Sequence, residues 1–154
     1  MANRVRLRSG QCQLAKMRVL PQTVIESGDL VFVDNGHLFP ISKWNRHDHK
    51  PLSECFAGVT HQQSAEGEHL ALSVDLSPLA IYEFDVLPND YEVGDELTFI
   101  SRLGEGIVSS QTLKHCVCSP PTDTPIARAM EYIVMGSGNL MVLRVALRSA
   151  LFGC

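Results

Sequence analysis

Apolar residues recur at every second position in short runs, and turn residues interrupt them about every ten positions, a pattern of strands and not of helices. Val5 and Leu7 alternate with Arg4, Arg6 and Arg8, which predicts an extended segment with one apolar and one basic face. Leu30-Val31-Phe32-Val33 reads as a buried strand entered through Ser27-Gly28-Asp29. Asp34-Asn35-Gly36 then predicts a tight turn, because the Asn-Gly pair tolerates positive φ, and His37-Leu38-Phe39-Pro40-Ile41 returns as the second arm of a hairpin. Further strands are predicted at 56–60, 70–76, 81–86 and 97–100, with a last one at 140–147. Residues 126–135 fit either a strand or a single short helix. Glu26-Ser27-Gly28-Asp29-Leu30-Val31-Phe32-Val33 is echoed by Glu92-Val93-Gly94-Asp95-Glu96-Leu97-Thr98-Phe99-Ile100, with Gly-Asp at the mouth of a strand in both.

These elements predict a mainly β protein, a compact β-barrel or β-sandwich with at most one or two short helices and an extended N-terminal arm. The domain reading is a basic arm over residues 1–21 and a single β-rich domain over 22–154, which suits the length of one ordinary domain. Charge sets the boundary. Residues 1–20 contain Arg4, Arg6, Arg8, Lys16 and Arg18 without one acidic residue, whereas the whole chain carries a net charge of -4. At 45% hydrophobic residues the composition excludes a disordered chain, and no apolar run reaches the roughly 20 residues of a membrane helix, so no membrane partner is expected. The start carries spaced arginines instead of an apolar signal core, and the cysteines, Cys12, Cys55, Cys116, Cys118 and Cys154, are odd in number. Reduced thiols in a cytosol-like compartment are therefore expected.

Catalytic frames are sparse in this sequence. It has no Walker loop, dinucleotide fingerprint, Gly-x-Ser-x-Gly or His-Glu-x-x-His, and Gly136-Ser137-Gly138 is turn chemistry ahead of a strand. The nearest approach to a metal site pairs His47 and His49 of one loop with His115, Cys116 and Cys118 of another. Zinc accepts four such ligands, but the Cys-x2-Cys knuckle is missing, and exposed loop histidines with reduced, metal-free cysteines are the expectation. No cofactor is expected. Trp44, beside Lys43 and Arg46, reads as a packing plug or an interface anchor, since no aromatic platform repeats along a basic strand as binders of single-stranded nucleic acid require.

The order of several segments resembles the capsid cement, or head-decoration, proteins of tailed bacteriophages. The resembling pieces are Ile25-Glu26-Ser27-Gly28-Asp29-Leu30-Val31, Phe56-Ala57-Gly58-Val59-Thr60, Tyr91-Glu92-Val93-Gly94-Asp95-Glu96-Leu97, Ile126-Ala127-Arg128-Ala129-Met130-Glu131 and Val142-Leu143-Arg144-Val145. The chain departs from that family in its polar loop at 42–53 and in Asp75-Leu76-Ser77-Pro78. The resemblance implies a β-rich domain on the capsid exterior, commonly a homotrimer, that reinforces contacts between capsomers without enzymatic activity. The implied partners are the major capsid protein and further copies of the chain, on a virion assembled in the host cytoplasm. The residues expected to make the contacts are Arg4, Val5, Arg6, Leu7 and Arg8 of the arm, laid against a neighbour and not against its own domain alone, together with Trp44. Two alternatives come from other classes: a metal- or thiol-dependent enzyme using the His/Cys loops, and a nucleic-acid-binding module using the basic arm.

Overall fold

The short strands of the sequence pattern curl into two closed barrels. The structure, a computed structural model, describes residues 6–45, 47–64, 71–100, 112–116, 124–135 and 141–151. Strand β1 is Arg6–Ser9. Barrel one consists of β2 (Leu14–Val19), β3 (Leu30–Asp34), β4 (His37–Pro40), β5 (Phe56–Thr60) and β6 (Ala71–Asp75), closed in the order β2-β4-β3-β5-β6. Barrel two consists of β7 (Ile81–Val86), β8 (Glu96–Phe99), β9 (Leu113–His115), β10 (Ala127–Ala129) and β11 (Met141–Leu147), in the order β7-β11-β10-β8-β9 and closed by pairing of β7 with β9. Helix is confined, among the described residues, to a 3-10 turn at Ile41–Lys43 and the single turn α1 (Leu52–Cys55). The mainly β expectation is met as barrels, and the ambiguous stretch at 126–135 contains β10 near its start and no helix.

Barrel two repeats barrel one strand for strand. Each has one parallel pair, β2 with β4 and β7 with β9, and every other pairing in the two rings is antiparallel. The registers coincide: Val19 faces Leu38 as Val86 faces Leu113, and Thr60 faces Val74 as Ala129 faces Val145. The echoed Gly-Asp corners superpose in detail. Gly28 and Gly94 have φ of 89° and 96°, and each donates its N–H across the barrel at 2.8 Å, to the carbonyls of Thr60 and Ala129. Asp29 Oδ2 accepts from Glu26 N, and Asp95 Oδ2 from Glu92 N, at 2.9 Å in both copies. The corner recurs because a left-handed glycine followed by a carboxylate that bonds back to the preceding amide turns the chain into a strand with few buried groups left unpaired.

Barrel one is filled by Val19, Ile25, Val31, Leu38, Ala57, Leu72 and Val74. The equivalent residues of barrel two, Val86, Tyr91, Leu97, Leu113, Ile126, Leu143 and Val145, are likewise buried. The copies diverge on their outer faces. Leu30 and Phe32 of β3 point out of barrel one and are buried in one cluster with Ile41, Leu52 and Cys55 of the 41–55 connection. Glu96 and Thr98 stand at the matching positions of β8. Residues 1–21, read from charge as an arm, supply β2, a stave of barrel one, and β1, which pairs along the first half of β7.

Candidate interaction surface

The contact residues expected from the sequence are dispersed. Arg4 and Val5 lie outside the described residues. The backbone of Arg6 faces Glu83, Leu7 faces Tyr82 with its side chain 44% exposed, and Arg8 makes an ion pair with Glu83, so this stretch of the expected arm is paired to its own chain. Trp44 is half-buried, donates from Nε1 to the Lys50 carbonyl at 3.0 Å and meets Phe99 edge-on at 5.9 Å. It is a packing plug that ties the 41–55 connection to barrel two.

The histidines weighed as metal ligands are engaged locally. His49 Nδ1 accepts from Asn45 N at 3.0 Å, and its ring packs edge-on to Phe32. His47 is exposed, Cys116 is half-buried, and Cys118 lies outside the described residues. His115 stacks on Tyr91 at 4.4 Å and sets Nε2 3.0 Å from Asp95 Oδ2. The backbone N–H of Glu92, and after it His115, hold the Asp95 carboxyl below its ordinary value. A depressed folded pKa gives stability that is complete above the unfolded carboxylate value, about 3.9, and is lost as pH falls through the folded one. An Asp95→Asn variant should therefore show a flatter fall of melting temperature between about pH 4 and pH 2 than the parent protein. Parallel curves would contradict this.

A polar cluster that the sequence did not single out sits where the barrels meet. Asp75, buried at the end of β6, accepts through Oδ1 from Gln13 N at 2.9 Å and Ser77 N at 3.0 Å, and through Oδ2 from the Tyr82 hydroxyl at 2.5 Å. Tyr82 belongs to β7 of the other barrel, and its hydroxyl lies 2.6 Å from His61 Nε2. Ligand atoms of Cys12, His61 and Asp75 lie within 4.8 Å of one another, a donor set that zinc would accept in kind. The Tyr82 hydroxyl ties this cluster across the junction, so that it latches barrel one to barrel two. Burial raises the Cys12 thiol, with Asp75 adding to it, and burial with Asp75 pushes the Tyr82 phenol well above its usual range. Burial would raise Asp75 too, but the hydrogen bonds from Tyr82, Ser77 and Gln13 outweigh it and leave the carboxyl lowered. The result is a charged acceptor held by neutral donors across the junction.

Among the described residues, the densest run of exposed apolar side chains lies just beyond β10. Met130, Tyr132, Val134 and Met135 are exposed within one short segment, the last three by 62%, 55% and 56%, and Val93 is exposed in the corner preceding β8. The backbone beneath them is fixed. Ile133 and Tyr91 exchange two hydrogen bonds at 2.9 and 3.0 Å, Met130 N donates to the Arg144 carbonyl, and Met135 N donates to Asp90 Oδ1 at 2.7 Å. Covering side chains on such a backbone removes apolar area from water at a small ordering cost. The sequence hid this strip, because Met130-Glu131-Tyr132-Ile133-Val134-Met135 has the composition of a core element.

No protein-family model matches the chain, and no curated protein does. Among solved structures, the N base of the head fiber gp8.5 of bacteriophage phi29 is similar, with 17% identity and a TM-score of 0.42 over 90% of this chain and 96% of that one.

Proposed function

We propose that the protein is a structural, non-enzymatic component of a tailed-phage head, a cement or decoration protein that binds the outside of the capsid lattice and stabilises contacts between capsomers. The observation that carries this reading is the exposed apolar strip from Met130 to Met135 on a hydrogen-bonded backbone. A cement must bring apolar anchors to a lattice without reshaping itself, and this strip supplies them on a closed barrel. The segment resemblance between Gln22 and Val145 supplies the class of assembly. The superposition on the phage head fiber is too loose to add weight. The partners under this reading are the major capsid protein and two further copies of the chain, one surface patch being reused around a three-fold axis.

Sedimentation with empty shells of the encoding phage tests the reading. Saturable binding is expected, and a Tyr132→Ser, Val134→Ser double variant should bind about tenfold or more weakly, since each side chain buried fully is worth about 1.5 to 3 kcal/mol. Light scattering should give a trimer, free or after release from shells. Unchanged binding by the double variant would remove the strip from the interface, and no binding by the parent protein would sink the capsid assignment.

A further inference from the structure

Among the described residues, β7 has a neighbour that its counterpart in barrel one lacks. The first half of β7 runs beyond the start of its parallel partner β9, and β1 fills that stretch, with Arg6 opposite Glu83 and Leu7 opposite Tyr82. Register makes Leu14–Lys16 of β2 the equivalent of Ile81–Glu83, since Ala15 faces Val74 as Tyr82 faces Val145. This stretch runs past the Asn35-Gly36 turn of its own parallel partner β4, and no strand among the described residues pairs with it on that side. An open groove of about 430 Å³ lies alongside, its lining including Lys16, Met17, Arg18, Val33, His37 and Leu151.

The two edges share geometry and differ in charge. The residues Ile81, Glu83 and Asp85 of β7 are matched on β2 by Leu14, Lys16 and Arg18. On β7 the acidic edge receives a basic strand, and Arg8 pairs with Glu83. On β2 the edge is basic. Leu14 is 50% exposed, Lys16 and Arg18 are exposed, and neither cation has an ion-pair partner among the described residues.

We infer that the β2 edge of barrel one receives an acidic, extended segment of a partner protein as an added antiparallel strand, as β7 receives β1. Backbone hydrogen bonds to the open edge supply affinity, and carboxylates at alternate positions, set against Lys16 and Arg18, supply register and selectivity. The arm of a second copy is a poor occupant, because residues 1–20 carry only basic charge and would meet these cations with like charge. The inference does not depend on the capsid reading, and the two fail separately, one in peptide titration and the other in shell sedimentation.

The probe is an acetylated octapeptide of alternating glutamate and valine, compared with its lysine–valine counterpart and followed by amide chemical shifts of the full chain. The glutamate peptide should shift the amides of Leu14 to Arg18 and of Gly36 and His37, and bind about tenfold more tightly than the lysine peptide. A Lys16→Glu, Arg18→Glu variant, with an unchanged circular dichroism spectrum, should reverse the preference. Equal binding of the two peptides, shifts clustered elsewhere, or no reversal in the variant would overturn the inference. So would a short DNA duplex that perturbs the same amides more strongly than the glutamate peptide does, since the edge would then be a nucleic-acid surface.

Discussion

An Asp75→Ala variant is expected to lose about 3 to 5 kcal/mol of unfolding free energy, read as a shift of the urea midpoint. Three donors converge on this carboxylate, the Tyr82 hydroxyl and the backbone amides of Gln13 and Ser77, and a methyl group removes the acceptor they share, leaving the two amides unpaired and the hydroxyl with His61 Nε2 alone. Each orphaned buried donor costs about 1 to 3 kcal/mol, which is large against a typical total of about 5 to 15 kcal/mol. Asp75→Asn, which keeps an acceptor, should cost less. Tyr82→Phe should cost least, about 1 to 2 kcal/mol, because it removes one donor and leaves the carboxylate its two amides. Barrel two contains a natural control: Ala146 occupies the position of Asp75, so the fold of one barrel does not demand the acid and the junction does. An Asp75→Ala midpoint within about 1 kcal/mol of the parent would refute the latch.

A Gly58→Ala variant should yield no stable folded protein. Gly58 has φ of 152°, and a Cβ built there would stand 2.0 Å from the backbone carbonyl oxygen of Asp75. The contact is with backbone, so no side-chain rotation relieves it, and the strands β5 and β6 would have to separate at the irregularity where β5 meets β3. Gly36→Ala is the matched control, also at positive φ (77°) but with no atom within 4 Å of the added carbon. It should cost about 1 kcal/mol from conformational strain alone. Comparable soluble yields and melting temperatures for the two variants would show that β6 can move away from Gly58.

The sequence was most informative where a short-range signal determines a local shape. The Asn35-Gly36 hairpin, the Gly-Asp corners and the alternation of Ile81 to Val86 are all where periodicity and turn chemistry predict them, with positive φ at Asn35, Gly36, Gly28 and Gly94. The doubling of the barrel was visible only through the corners. Outside them the copies share burial positions and, in part, residue types: Val19 and Val86, Leu38 and Leu113, Leu72 and Leu143, and Val74 and Val145 match, whereas Ile25 and Tyr91 or Ala57 and Ile126 do not, and single valines and leucines are too common to reveal a repeat. Residues 1–21 misled because charge separates them from the rest of the chain, while β2 is held by pairing with β4 and β6, which no local pattern reports. The Asp75 cluster draws Cys12, His61 and Tyr82 from separate segments: strand pairing in barrel one gathers Cys12 and His61 around Asp75, and only the meeting of the two barrels adds Tyr82.

The attachment of β1 to β7 has a consequence for synthesis. Barrel one is closed by residues 14–75 alone and can form before the strands that follow it are made, whereas barrel two waits for β11, the last of its strands. β1 is translated before barrel one, and its partner is completed only after all of barrel one. A basic strand with an unpaired edge therefore precedes its acidic mate throughout that interval, open to any acidic strand in the vicinity. Docking of β1 is a late event that spans the length of barrel one, and the loop-closure entropy of so distant a pairing places it among the slow steps of folding.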